Sequence, residues 1–121
     1  MEARVRGMRG ATTVPENSER AILEATKELL EALREANGFE LDDVVSALFT
    51  ATPDLSAGFP AAGARELGWT RVPLIGAAEM AVDNGLARCI RVLLQVYTDK
   101  DPREIQHVYL RGAANLRPDL A

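Results

Sequence analysis

No stretch of this chain leaves fewer folding options than Leu86-Ala87-Arg88-Cys89-Ile90-Arg91-Val92-Leu93-Leu94-Gln95-Val96. Apolar and β-branched residues fill both phases of a period-2 reading, the pattern of a strand covered on both faces, so the run is expected to be the central strand of a sheet. Arg91 sits inside it. A guanidinium cannot shed its proton to escape burial, so Arg91 needs an anionic partner. Either a carboxylate of the chain or an anionic ligand would serve.

A second strand is expected over Val5 to Val14, with Arg9 between Gly7 and Gly10. Glycine inside a strand marks a bulge or a close approach by another element. Pro15 to Ser18 breaks this strand, and Asn17 or Ser18 can cap a helix beginning near Glu19. Ile22, Ala25, Leu29, Leu30, Leu33 and Ala36 give that helix one apolar stripe, and Asn37-Gly38 ends it. After a turn at Leu41-Asp42-Asp43, Val44 to Thr52 reads as another buried strand. Phe59-Pro60 opens a short helix, rich in small residues that permit close packing, which runs to Gly68. Trp69 to Gly76 is β-like, but Pro73 lacks a ladder donor and favours an edge or a strand end.

Glu79 stands alone among Ala77, Ala78, Met80, Ala81 and Val82. A carboxylate in that setting either pairs with a buried arginine or accepts from a ligand hydroxyl, and both roles would put it beside Arg91. Asp83-Asn84-Gly85 turns the chain into the central strand. Beyond it, Asp101 can cap a helical turn with Pro102 at its first position, His107 to Leu110 is a last short strand, and Arg111 to Leu116 is weakly helical. His107 lacks a companion pattern for catalysis and is expected to be structural.

A length of 121 residues suits one domain spanning 1–121 and is too short for a two-domain enzyme with its own cleft, so a sizeable site calls for a second chain. The opening residues carry no apolar signal region and no apolar run approaches the roughly 20 residues of a membrane span, so a soluble, cytoplasmic protein with no membrane partner is expected. A net charge of −4 argues against a nucleic-acid surface. The single cysteine, Cys89, reads as an inert buried thiol. No nucleophile with an adjacent base, metal cluster or glycine-rich phosphate loop is present in the sequence, so neither a metal nor a cofactor is expected. Arginines on separate strands, one isolated glutamate and one tyrosine remain. Such a set can hold a small polyanion and stabilise charge that shifts within it, which points to a rearrangement or to binding alone.

Arg6-Gly7-Met8-Arg9-Gly10-Ala11-Thr12-Thr13-Val14, Ala51-Thr52-Pro53-Asp54-Leu55, Phe59-Pro60-Ala61, Cys89-Ile90-Arg91-Val92, His107-Val108-Tyr109-Leu110 and Leu116-Arg117-Pro118-Asp119-Leu120 occur in order from about Val5 to the C-terminus. Together they resemble the monofunctional AroH-class chorismate mutases of bacteria, the Bacillus type. The resemblance implies an α+β fold, a mixed β-sheet with helices packed on one face, three copies of which form a homotrimeric pseudo α/β-barrel with active sites at subunit interfaces. It implies a cofactor-free Claisen rearrangement of the dianion chorismate to prephenate. Arg91 resembles the arginine that donates to the breaking ether oxygen. Arg9 and Tyr109 match the pair that holds the side-chain carboxylate, and Glu79 the acceptor for the ring hydroxyl. Phe59, Ala61, Leu74, Ile75 and Gly76 would line the apolar wall on the neighbouring chain, together with Glu79. Arg65, Leu116 and Arg117 match rim and tail positions over the mouth. The chain departs from the family pattern at Ala62, where relatives can carry a lysine, and at Gly76, where a polar-tipped side chain can occur. A trimeric binding module and a RidA-type imine deaminase are the competing readings.

Overall fold

The computed structural model describes residues 2–116. In chain order it contains β1 (Arg4–Thr13), α1 (Glu19–Asn37), β2 (Val44–Ala51), α2 (Pro60–Glu66), β3 (Leu74–Ala78), β4 (Cys89–Thr98) and β5 (Val108–Tyr109). Single 3-10 turns lie at Leu41–Asp43, Pro102–Glu104 and Arg111–Asn115. The five strands form one mixed sheet in the order β3-β2-β4-β1-β5. β4 is antiparallel to β1 and β2, whereas β3 runs parallel to β2 and β5 parallel to β1. The arginine-bearing run is therefore central, as expected.

Two features of that run differ from the sequence expectation. The strand begins at Cys89 rather than Leu86. Arg88 has φ 47, its backbone N–H donates to the Asp54 carboxylate at 2.9 Å, and its Nε donates to the Val14 carbonyl at 2.9 Å. A residue held in the left-handed region cannot be part of a ladder. Nor are both faces covered within one chain. Ile90, Val92, Leu94 and Val96 are buried, while Arg91, Leu93, Gln95 and Tyr97 are exposed on the other face.

The covered face is built by α1 and α2. Ser18 caps α1 by accepting from the Ala21 N–H at 3.1 Å, and Asn17 instead ties the loop at Ser56 and Ala57. Gly38 ends α1 in the left-handed conformation, φ 69, with its N–H on the Arg34 carbonyl. Ile22, Leu29, Leu30 and Leu33 are fully buried, each burial contributing about 1.5–3 kcal/mol before entropy. Ala36, expected in the stripe, is exposed. Asn37 is buried in its place because residues four apart share a face more closely here than residues three apart, and its amide is satisfied by Leu33 and Gln106.

Close approach is the reason for two glycines. A Cβ on Gly10 would meet Leu33 Cδ1 at 2.8 Å and Leu29 Cδ1 at 3.0 Å, so β1 lies directly beneath α1 without a bulge. A Cβ on Gly63 would meet Thr26 Cβ at 3.0 Å, which lets α2 press against α1. Trp69 precedes β3 rather than joining it, packing edge-on against Phe39 with ring centroids 6.3 Å apart.

Candidate active site

Directly paired residues in a sheet point to the same face. Ala11 of β1 is opposite Arg91 of β4, and Thr50 of β2 is opposite Arg91 from the other side. Tyr109 of β5 pairs with Ala11, and Ala77 of β3 with Thr50. One row across the uncovered face therefore reads Tyr109, Ala11, Arg91, Thr50, Ala77. In the adjacent row Arg9 is opposite Leu93, and Leu93 is opposite Leu48. The small Ala11 leaves a depression between two arginines and a tyrosine. Arg9, Glu79, Arg91 and Tyr109 line that cavity of about 310 Å³, with Leu48, Thr50 and Leu93 among its walls. Its size lies at the low end of small-ligand sites.

Glu79 follows β3 and is fixed at both ends. Its backbone N–H donates to the Ala51 carbonyl at 2.9 Å, and its Oε2 accepts from the Thr50 hydroxyl. The same oxygen lies 3.4 Å from Arg91 Nε. The sequence left two partners open for Arg91, a chain carboxylate or a ligand; the carboxylate is Glu79 of the same chain, and neither of its contacts uses Oε1. Within one chain Glu79 thus stands with that chain's own arginine, directly after the strand that carries Leu74, Ile75 and Gly76. Arg9, by contrast, forms no salt bridge among the described residues, although it lines a cavity. A guanidinium set there is available to an anion.

Several tethers hold the segment that carries Tyr109. The backbone N–H of Arg9 donates to His107 Nδ1 at 3.0 Å, and the Leu110 N–H donates to the Ala11 carbonyl at 2.9 Å. Beyond it, Arg111 makes a two-pronged contact with Glu28 of α1, both distances 3.0 Å, and the Gly112 N–H donates to the Thr13 hydroxyl. Burial pushes the Cys89 thiol up from its ordinary value, against a weaker opposing pull from Arg91. The thiol is protonated at neutral pH, in keeping with an inert role.

The remaining residues proposed from sequence do not line this cavity within one chain. Phe59 is 77% exposed and borders a separate groove of about 740 Å³ that also includes Gly76. Ile75 is 65% exposed on the uncovered face, opposite Leu48. Ala61 and Leu74 are partly buried against the core, Arg65 is exposed on α2, and Leu116 is half-buried after the last 3-10 turn. Arg117 lies outside the described residues. Thr50 escaped the sequence reading; the available signal was its position two residues beyond Leu48 in a strand expected to be buried. Among the described residues no group of three or more His, Cys, Asp or Glu side chains could hold a metal ion, and no helix is long and apolar enough to cross a membrane.

Residues 5–120 match the family model described as chorismate mutase type I. The chain is 51% identical over 118 residues to chorismate mutase AroH of Bacillus subtilis, spanning 97% of this chain and 93% of that protein. It is 49% identical over 117 residues to chorismate mutase AroH of Thermus thermophilus, with 96% of each chain covered. A solved chorismate mutase from Clostridium thermocellum superimposes with a TM-score of 0.88 at 48% identity, covering 89% of this chain and 96% of that one.

Proposed function

The chain belongs to the type I chorismate mutases and is a chorismate mutase, an isomerase of aromatic amino acid biosynthesis; we propose that it works by confinement and electrostatics alone, at a site shared between subunits. The observation that carries this reading is the convergence of Arg9, Glu79, Arg91 and Tyr109 on one cavity from four separate parts of the chain.

Conversion of chorismate to prephenate breaks the ether bond as a carbon–carbon bond forms, with no proton transferred and no cofactor required. Arg9 and Tyr109 hold the side-chain carboxylate so that the dianion is folded into its reactive chair. Freezing that conformer removes an entropic part of the barrier. Arg91 donates to the ether oxygen as negative charge gathers there, a contact stronger in the transition state than in the substrate. Glu79 accepts from the ring hydroxyl and steadies the Arg91 head. A millionfold acceleration requires about 8 kcal/mol. One preorganised donor supplies about 2.7–4 kcal/mol of that, leaving the remainder to confinement and the other contacts.

The working unit is a cytoplasmic homotrimer of single-domain chains arranged as a pseudo α/β-barrel. Support comes from the uncovered sheet face, where Leu48 is 38%, Leu93 41% and Tyr97 52% exposed, an apolar surface of the kind that marks a protein interface. Phe59, Ala61, Leu74, Ile75 and Gly76 of a neighbouring chain complete the apolar wall, and Arg65, Leu116 and Arg117 close over the mouth. The test is the loss of chorismate's ultraviolet absorbance with prephenate identified as product, run beside a solution mass measurement. Saturable conversion by a species of three chains is expected; conversion by a monomer at full rate would refute the shared site.

A further inference from the structure

β5 is only two residues long, yet it carries Tyr109 to the cavity. Its ladder with β1 comprises Gly10 opposite Val108 and Ala11 opposite Tyr109. One residue earlier on β1, the Arg9 N–H meets the imidazole of His107 instead of a strand carbonyl, with Nδ1 accepting at 3.0 Å. A side chain thus supplies the rung that a longer strand would have provided. The preceding residue is clamped as well: Asn37 Oδ1 accepts from the Gln106 N–H at 2.8 Å, and Asn37 Nδ2 donates to the Gln106 carbonyl at 2.9 Å. Asn37 is 3% exposed at the end of α1, and its amide also donates to the Leu33 carbonyl.

We infer that His107, backed by Asn37, is a positioning residue that sets the spacing between the Arg9 guanidinium and the Tyr109 ring. The inference rests on the mutase reading, in which those two groups grip one carboxylate of the substrate. Acceptance at Nδ1 puts the proton of the neutral ring on Nε2. Without the acceptor, the Arg9 amide loses its partner and this end of the short strand loses one of its tethers, the Asn37 clamp remaining. Small displacements between gripping groups misplace the reacting atoms and lower the rate steeply.

The experiment compares the unaltered chain with His107→Asn and His107→Leu in chorismate turnover, melting, and hydrogen exchange at the Arg9 amide. Asparagine keeps an oxygen acceptor near the place of Nδ1, whereas leucine keeps bulk and removes the acceptor. We expect His107→Leu to raise KM about tenfold and to lower kcat by up to about tenfold, because a loosened grip binds the carboxylate less tightly and freezes the reactive chair less well. Exchange at the Arg9 amide should accelerate in the same variant. His107→Asn should stay within about threefold of the unaltered chain in both constants. Unchanged KM and unchanged amide exchange in His107→Leu would overturn the inference, as would His107→Asn failing as badly as His107→Leu. If His107→Leu does not fold, Asn37→Ala decides: a raised KM supports the role and an unchanged KM refutes it. Failure of the unaltered chain to convert chorismate would instead refute the mutase reading, and the Arg9 amide would still report on the contact.

Discussion

Glu79 Oε2 lies 3.4 Å from Arg91 Nε while accepting from the Thr50 hydroxyl, so one carboxylate oxygen joins β2, β4 and the end of β3. Arg91 is 47% and Glu79 19% exposed in their side chains. An ion pair this open contributes little to stability, about 0–1 kcal/mol, and in the proposed mechanism its value is in aiming the guanidinium. Glu79→Gln should therefore lower kcat/KM by about tenfold to a hundredfold while changing unfolding free energy by less than about 1 kcal/mol. Urea unfolding beside steady-state kinetics checks both halves.

Thr50→Val removes the hydroxyl from Glu79 and keeps the shape of the side chain. With one anchor gone, the carboxylate still meets Arg91 but with more freedom. A fall in kcat/KM of about threefold to tenfold is expected, smaller than for Glu79→Gln, with unchanged solution mass. Kinetics of the double variant should fall short of the product of the two single losses, because both act through one carboxylate.

Gly10→Ala would set a methyl 2.8 Å from Leu33 Cδ1 and 3.0 Å from Leu29 Cδ1, both fully buried. Overpacking of a filled core costs about 1–3 kcal/mol, and a lower urea midpoint of that size is expected. At Gly7, where a Cβ would meet only Leu93 Cδ1 at 3.6 Å, alanine in the isolated chain meets ordinary contact.

Asp54 accepts from the Thr52 hydroxyl and from the Arg88 backbone N–H. The Thr52 contact, with help from Arg88, holds its carboxyl below the ordinary 3.8. Because the folded value is depressed, the stabilisation is present above the unfolded value and fades as pH falls through the folded one. The stability gap between the unaltered chain and Asp54→Asn should be constant near neutrality and should narrow as pH drops below about 4. Thermal melts across pH 2.5 to 7, about the range needed, test the sign.

The helical period of Ile22 to Leu33, the Ser18 cap and the Gly38 stop were legible because each depends on neighbours within one or two turns. Arg91 does meet a carboxylate, but its side chain is 47% exposed within one chain, so burial is not what demands the partner. The start of β4 was not legible: Leu86 and Ala87 read as strand, and only the tertiary grip of Asp54 and Val14 on Arg88 ends it. What covers each face of β4 is illegible in the sequence for a different reason. A two-faced apolar run carries no mark distinguishing a face packed on helices from an exposed apolar one, and Leu93 and Leu48 are on the latter. The partners of Thr50 and His107 are out of reach of the sequence because the sheet order β3-β2-β4-β1-β5 brings together residues distant in sequence.

In the proposed mechanism the Arg91 guanidinium stabilises the breaking bond. The decisive measurement is the turnover number of Arg91→Ala by chorismate absorbance, with melting and solution mass unchanged. Loss of one preorganised donor predicts a fall in kcat of about a hundredfold to a thousandfold. A folded Arg91→Ala variant whose kcat stays within about threefold of the unaltered enzyme would refute that role.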